Sequence, residues 1–261
     1  MLGKLLKYDW KSFQKKCGIL FLGLFLLGLI TLAFRKIAGA NTILSIPEGF
    51  ITGIYVIALI GLPFLVFYYG FNYFYQTMIK DEGYLTHTLP VKKSSLILSK
   101  GIVANVFLLL SVMVSVGCFF LVFGNQELLD GIVKLYDTFI KEFTLYSFIL
   151  TIVTMVVSFV IQYFMITLSI ALGQTKNVKK GMYSFIYFFI LYTVSQIVAS
   201  LVIFGYALFD SKMMTVINND NMMNMHYLNI LLWIGLITNI IFGVIYYFGT
   251  VRLFERKLNL E

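Results

Sequence analysis

Charge is scarce in this chain. Of its 261 residues only 12% are Asp, Glu, Lys or Arg, while 60% are hydrophobic and 17% aromatic. Soluble domains carry about 25% charged and roughly 45–50% apolar residues, so the composition argues against a water-soluble globular enzyme. Disorder needs the reverse balance, low hydrophobicity with high charge. Cysteine is nearly missing too. The two residues, Cys17 and Cys118, cannot form a disulfide scaffold or a zinc ribbon; lying in or at apolar stretches, they read as small packing residues. The only histidines are His87 and His226, both between apolar stretches. No His-Glu-x-x-His motif, Ser–His pair or Asp pair supplies an intramembrane protease. No G-x-x-x-x-G-K-[ST] loop is present to hold a nucleotide phosphate. If the chain works on a substrate, the energy comes from another subunit. The reading is therefore not an enzyme by itself, with no cofactor or metal of its own.

What the chain has is long apolar runs. Six stretches, 18–38, 50–79, 101–123, 144–173, 182–209 and 228–248, are long enough to cross a hydrocarbon core about 30 Å thick at 1.5 Å per helical residue. The expected fold is all-α: a single integral membrane domain over 1–261 with six transmembrane helices. The second, fourth and fifth stretches exceed the core and must tilt, kink or project; Pro63 is a candidate kink in the second. Within these bounds no Asp, Glu, Lys, Arg or His lies deep in a span, which leaves ion-coupled transport without its usual groups. The polar residues inside are uncharged: Asn72, Gln76, Asn105, Gln162, Gln196 and Asn239. Each reads either as an interhelical hydrogen bond or as the mildly polar lining of a pathway. Asn72 and Gln76, one turn apart among Tyr68, Tyr69, Tyr73 and Tyr75, mark the inner half of the second span as the best lining, so Tyr69, Asn72 and Gln76 are the candidate substrate-pathway residues.

Orientation follows from Lys and Arg. With the N-terminus inside, fifteen of the twenty basic residues fall on inner segments, and only Arg35, Lys36, Lys134, Lys141 and Lys212 fall outside. Both termini are expected in the cytoplasm. The net charge of +8 follows from this bias and from anionic lipid, with no nucleic-acid partner needed. The first apolar run begins after five lysines and is too long for the core of a cleaved leader. Residues 1–17 place Leu2, Leu6, Trp10 and Phe13 on one helical face and Lys4, Lys7, Lys11 and Lys15 on another. That pattern predicts an N-terminal interfacial amphipathic helix. A second amphipathic stretch, 127–143, falls outside, as a surface helix, a cap on a pathway or an ordinary docked loop. The Met-rich outer loop 210–227 reads as an adaptable apolar surface more readily than as a soft-metal site.

The most informative segment is the inner loop 80–100, KDEGYLTHTLPVKKSSLILSK. Asp81 and Glu82 end an overlong helix, and Gly83 permits a change of direction. Leu85 and Leu89, four apart, share one face of a short cytoplasmic helix, and Pro90 stops it or opens the next. Two leucines on such a helix suit a groove on a soluble partner.

The run Asp81-Glu82-Gly83-Tyr84-Leu85, then Leu89-Pro90-Val91 and Leu96 to Lys100, resembles the permeases of type-2 ABC exporters, and its Asp-Glu-Gly-Tyr-Leu-Thr form is similar to small permeases of Gram-positive bacteria. Glu82 stands where that family often has Arg. The motif covers about 25 residues; the six-span layout and the basic first helix agree along the whole chain. The resemblance implies two permease chains, homo- or heterodimeric, in the bacterial cell membrane. Each would bind a separate ABC ATPase subunit, where ATP and Mg belong. It implies a coupling helix in which Glu82, Gly83, Leu85, Leu89 and Pro90 pass ATPase closure to the membrane, with Lys176, Lys179 and Lys180 of the second inner loop as a secondary contact. The implied cargo is amphipathic, a peptide, antibiotic or lipid-like molecule, and self-protection against an antimicrobial peptide is the narrower form. Two other readings stand beside it: a membrane assembly or sensor partner that transports nothing, and an intramembrane enzyme, which lacks acid, base and metal groups.

Overall fold

The computed structural model describes residues 2–38, 45–88, 90–142, 144–176, 178–210 and 225–256. Among them every regular element is a helix: α1 (Leu2–Ala38), α2 (Ser45–Met78), α3 (Asp81–Thr88), α4 (Lys93–Phe123), α5 (Gln126–Glu142), α6 (Leu145–Gly173), α7 (Lys180–Phe209) and α8 (Met225–Arg256). Six of these, all but α3 and α5, are long and apolar enough to cross a membrane. The chain is an all-helical, multi-pass membrane protein.

Several helices outrun the apolar stretches that predict them. Residues 2–17 are helical but form no separate surface element; they are the first turns of the 37-residue α1. Nothing there breaks a helix, because 2–17 holds neither proline nor an Asn, and Gly3 sits at the very start. At 1.5 Å per residue α1 is about 55 Å long, well beyond an apolar core of about 30 Å. Likewise α4 begins at Lys93, two turns before its apolar run, and α2 continues through Pro63 without ending.

The chain divides into two compact units, residues 1–132 and 133–261. In the first, α1, α2 and α4 all pack on one another, and α3 packs on α2. Helices α1 and α4 run parallel, Asp9 lying beside Lys100 and Arg35 beside Val122. Helix α2 returns antiparallel against both, with Tyr73 near Asp9 and Tyr55 near Cys118. At the Arg35 end, Arg35 donates to the Val122 carbonyl (3.0 Å) and stands over the Phe123 ring. Deeper in, the fully buried Tyr55 donates its hydroxyl to the Cys118 carbonyl (2.6 Å). Tyr55 fits because Gly28 has no side chain: a Cβ there would lie 3.0 Å from its hydroxyl. Both cysteines are buried and unpaired by disulfide.

In the second unit α6 packs on both α7 and α8. Helices α6 and α8 are parallel, joined by Trp233 donating to the Tyr146 hydroxyl (2.6 Å) and Asn239 donating to Ser158 (3.3 Å). Gly243 and Gly249 allow this approach; a Cβ would come within 2.9 Å of Ile161 and 3.2 Å of Leu168. Small residues commonly bring membrane helices together in this way. Helix α7 folds back after a tight turn in which a Cβ on Gly173 would collide with Ser184, whose backbone nitrogen is 2.7 Å away. Only Ala207 of α7 is buried.

The amphipathic stretch 127–143 is helical as α5, opened by the Asn125 side chain, which accepts the Leu128 N–H (3.1 Å). The Met-rich segment, with Met213, Met214, Met222 and Met223, lies outside the described residues.

Candidate functional site

The segment 80–100 forms a short helix, as its sequence predicts, but with different punctuation. Helix α2 stops at Met78, and Asp81 and Glu82 open α3 instead of closing α2. Gly83 does not turn the chain with a left-handed conformation, for no described glycine has a positive φ. It allows close packing. Its N–H donates to the Lys80 carbonyl (2.7 Å), and a Cβ would lie 3.0 Å from the Met78 carbonyl carbon. The residue thus seats α3 against the end of α2. On α3, Glu82 is exposed and Leu85 keeps 67% of its surface open. Pro90 is exposed in the bend before α4; Leu89 lies outside the described residues.

Directly behind α3, α1, α2 and α4 meet at a carboxylate. Asp9 of α1 is 3% exposed and Lys100 of α4 is 4% exposed. Tyr73 donates to Asp9 Oδ1 (2.7 Å), Ser99 donates to Oδ2 (2.6 Å), and Lys100 Nζ donates to Oδ1 (3.3 Å). Lys100 also stands 4.7 Å above the centre of the Tyr73 ring. An aromatic wall seals the group. The fully buried Phe13 ring is 4.9 Å from Tyr69, 5.0 Å from Tyr73 and 5.5 Å from Phe107, which also meets Trp10 at 4.9 Å. A buried charge is tolerated when it is paired and its remaining lone pairs are met, and Asp9 has three donors. The cluster acts as a clamp, fixing three long helices at the end where α3 departs.

This cluster is what sequence reasoning missed. One signal was available: Asp9 is the only acidic residue before Glu48, set among five lysines. On a purely interfacial helix it would be one more solvated charge; only the docking of 2–17 onto α2 and α4 makes it a partner for Lys100. Tyr69, half-buried on α2, borders the same cluster. It packs on Phe13, and Lys16 lies 5.0 Å over its ring. Asn72 is half-buried and Gln76 exposed, and neither forms a hydrogen bond among the described residues. Of the second inner loop, Lys176, Lys179 and Lys180 are exposed; Lys176 stands 5.7 Å over Tyr183, and Lys179 holds a left-handed φ of 52° at the start of α7.

Of the other mid-span polar residues, Asn105 is buried and bonds within its own helix, to the Gly101 carbonyl (2.8 Å). Three come together in the second unit. Gln162 of α6, Gln196 of α7 and Asn239 of α8 line one cavity of about 220 Å³. Neither protein-family models, curated proteins nor solved structures yield a match to this chain.

Proposed function

We propose that this chain is the membrane-spanning permease subunit of an ATP-driven exporter in a bacterial cell membrane, working as a pair of permease chains with a separate ATPase. The observation that supports it best is the placement of α3. A short helix between two spans offers an exposed leucine, is seated by Gly83 on the end of α2, and continues into α4 beside the Asp9 clamp. A push on α3 would reach α2 through Gly83 and α4 through the Pro90 bend, and the clamp would carry it into α1. The basic bias of the loops puts this end in the cytoplasm, where a nucleotide-binding partner is found. The cargo in this reading is amphipathic, which suits the uncharged polar residues Asn72, Gln162, Gln196 and Asn239 along the described spans.

The test is co-purification of the ATPase and export by variants of α3. Leu85→Asp places a carboxylate where an apolar groove should receive a leucine, whose full burial contributes roughly 1.5–3 kcal/mol. Gly83→Val would push α3 off α2. Both variants should insert into the membrane normally and lose ATPase assembly or coupled export. Lys92→Ala, a change to an exposed charge, should be mild. Normal assembly and export by both α3 variants would defeat the proposal.

A further inference from the structure

The cavity in the second unit lies near the middle of α6, α7 and α8. It is lined by Ser158, Gln162, Ser195, Gln196, Asn239 and Tyr246, with apolar side chains between. Some of these groups are already satisfied. Ser158 donates to the Thr154 carbonyl (2.8 Å) and accepts from Asn239 (3.3 Å), and Ser195 donates to the Tyr192 carbonyl (2.8 Å). Gln162 and Gln196 are not; neither carboxamide forms a hydrogen bond among the described residues. Both lie near the middle of long apolar helices, Gln162 half-buried and Gln196 exposed. Hydrocarbon offers no partner to a donor or acceptor, so each unmet polar group there is costly.

The chemistry of the lining narrows what could meet them. Helix α6 carries no Asp, Glu, Lys, Arg or His, and those of α7 and α8 are near the helix ends. With no carboxylate at the cavity, a hard cation lacks its usual ligands. With no Lys or Arg, an anion lacks its counter-charge. A neutral group remains. A carboxamide offers a carbonyl acceptor and an NH₂ donor, and an amide answers both at once, its N–H to the carbonyl and its C=O to the NH₂. The rings of Tyr192, Phe242 and Tyr246 supply apolar walls for the carbon on either side of it. We infer that this cavity is a binding site for the amide group of an apolar peptide-like molecule, read by Gln162 and Gln196. The site stands on its own geometry and does not depend on an ATPase partner.

The test uses the full chain in lipid nanodiscs and two small probes, N-methyl-4-methylpentanamide, whose one polar group is an amide, and methyl 4-methylpentanoate, which has no amide. They differ by one N–H replaced with oxygen. Ligand-observed NMR should show saturable binding of the amide, roughly tenfold tighter than the ester, because the ester leaves a carboxamide acceptor unmet. The paired change Gln162→Met and Gln196→Met should erase that preference. It breaks no hydrogen bond within the described residues, so the thermal midpoint should hold. Ser200→Ala, on α7 but outside the lining, should keep the preference. Equal binding of amide and ester to the unaltered chain would overturn the assignment without recourse to any variant. So would an unchanged preference in the double Met chain, or no saturable amide binding at all, which would mean a cavity that holds water only.

Discussion

The two units of this protein follow the same path and are held together differently. In each, two long helices run parallel and in contact while a third returns antiparallel: α1 and α4 with α2, α6 and α8 with α7. In the first unit buried polar and charged side chains tie the helices to one another, while Asn72 and Gln76 form no hydrogen bond among the described residues. Asp9 receives three donors, Arg35 caps a carbonyl of α4, and the Tyr55 hydroxyl bonds to Cys118. In the second, α6 and α8 meet through glycines and two side-chain hydrogen bonds, and α7 buries only Ala207. Its mid-span amides surround a space instead of filling it. Similar helices with similar hydropathy therefore give one unit tied through a buried ion pair and one in which Gln162, Gln196 and Asn239 line a cavity.

The comparison is broken most directly at Asp9. Asp9→Ala leaves Lys100 buried without its carboxylate and strips a partner from Tyr73 and Ser99. Removing one member of a buried ion pair costs roughly 3–5 kcal/mol, so detergent unfolding of the full chain should show a large loss of stability. The joint change Asp9→Leu with Lys100→Met should recover most of it, because a matched apolar pair leaves no lone charge. If Asp9→Ala unfolds like the unaltered chain, the first unit is not organised around this clamp.

A middle-sized effect is expected at the opposite end of the same unit. Tyr55→Phe keeps the ring, the contact with Gly28 and the aromatic packing near Phe123, and deletes one buried hydrogen bond of 2.6 Å. The expected loss is about 1 kcal/mol, read in the same unfolding measurement. A change several times larger would show that the Tyr55 hydroxyl, and not Asp9, is the principal tie between the helices.

How much of this was legible in the sequence depends on the distance between the groups concerned. The six spans and the short helix after the second were legible, because apolar run length and the Leu85 spacing are properties of neighbouring residues. Boundaries were less so. Hydropathy marks where a helix leaves the hydrocarbon, and α1 and α4 go on past that point, which hid Asp9 and Lys100 in segments that read as surface and loop. The role of Gly83 was misread for a related reason: a glycine that permits a turn and one that permits close packing look alike until the backbone opposite is known. Gln162, Gln196 and Asn239 were visible one by one, yet only the packing of α6 with α7 and α8 brings them to one cavity.

The smallest effect is expected where the second unit does use a polar tie. Asn239→Leu removes the hydrogen bond to Ser158 across α6 and α8. That bond is long, at 3.3 Å, and the Ser158 hydroxyl still donates to the Thr154 carbonyl after the change. No donor is orphaned on α6, and leucine is at ease in hydrocarbon. Interhelical hydrogen bonds in membranes average about 0.6 kcal/mol, so the stability loss should be at or below that scale. The decisive comparison is with Asp9→Ala in the same detergent and by the same unfolding signal. A small Asn239 effect beside a large Asp9 effect supports two units with opposite uses for their polar residues. Losses of equal size would mean that both units are locked by buried polar contacts, and the contrast between them would then rest on Gln162 and Gln196 alone.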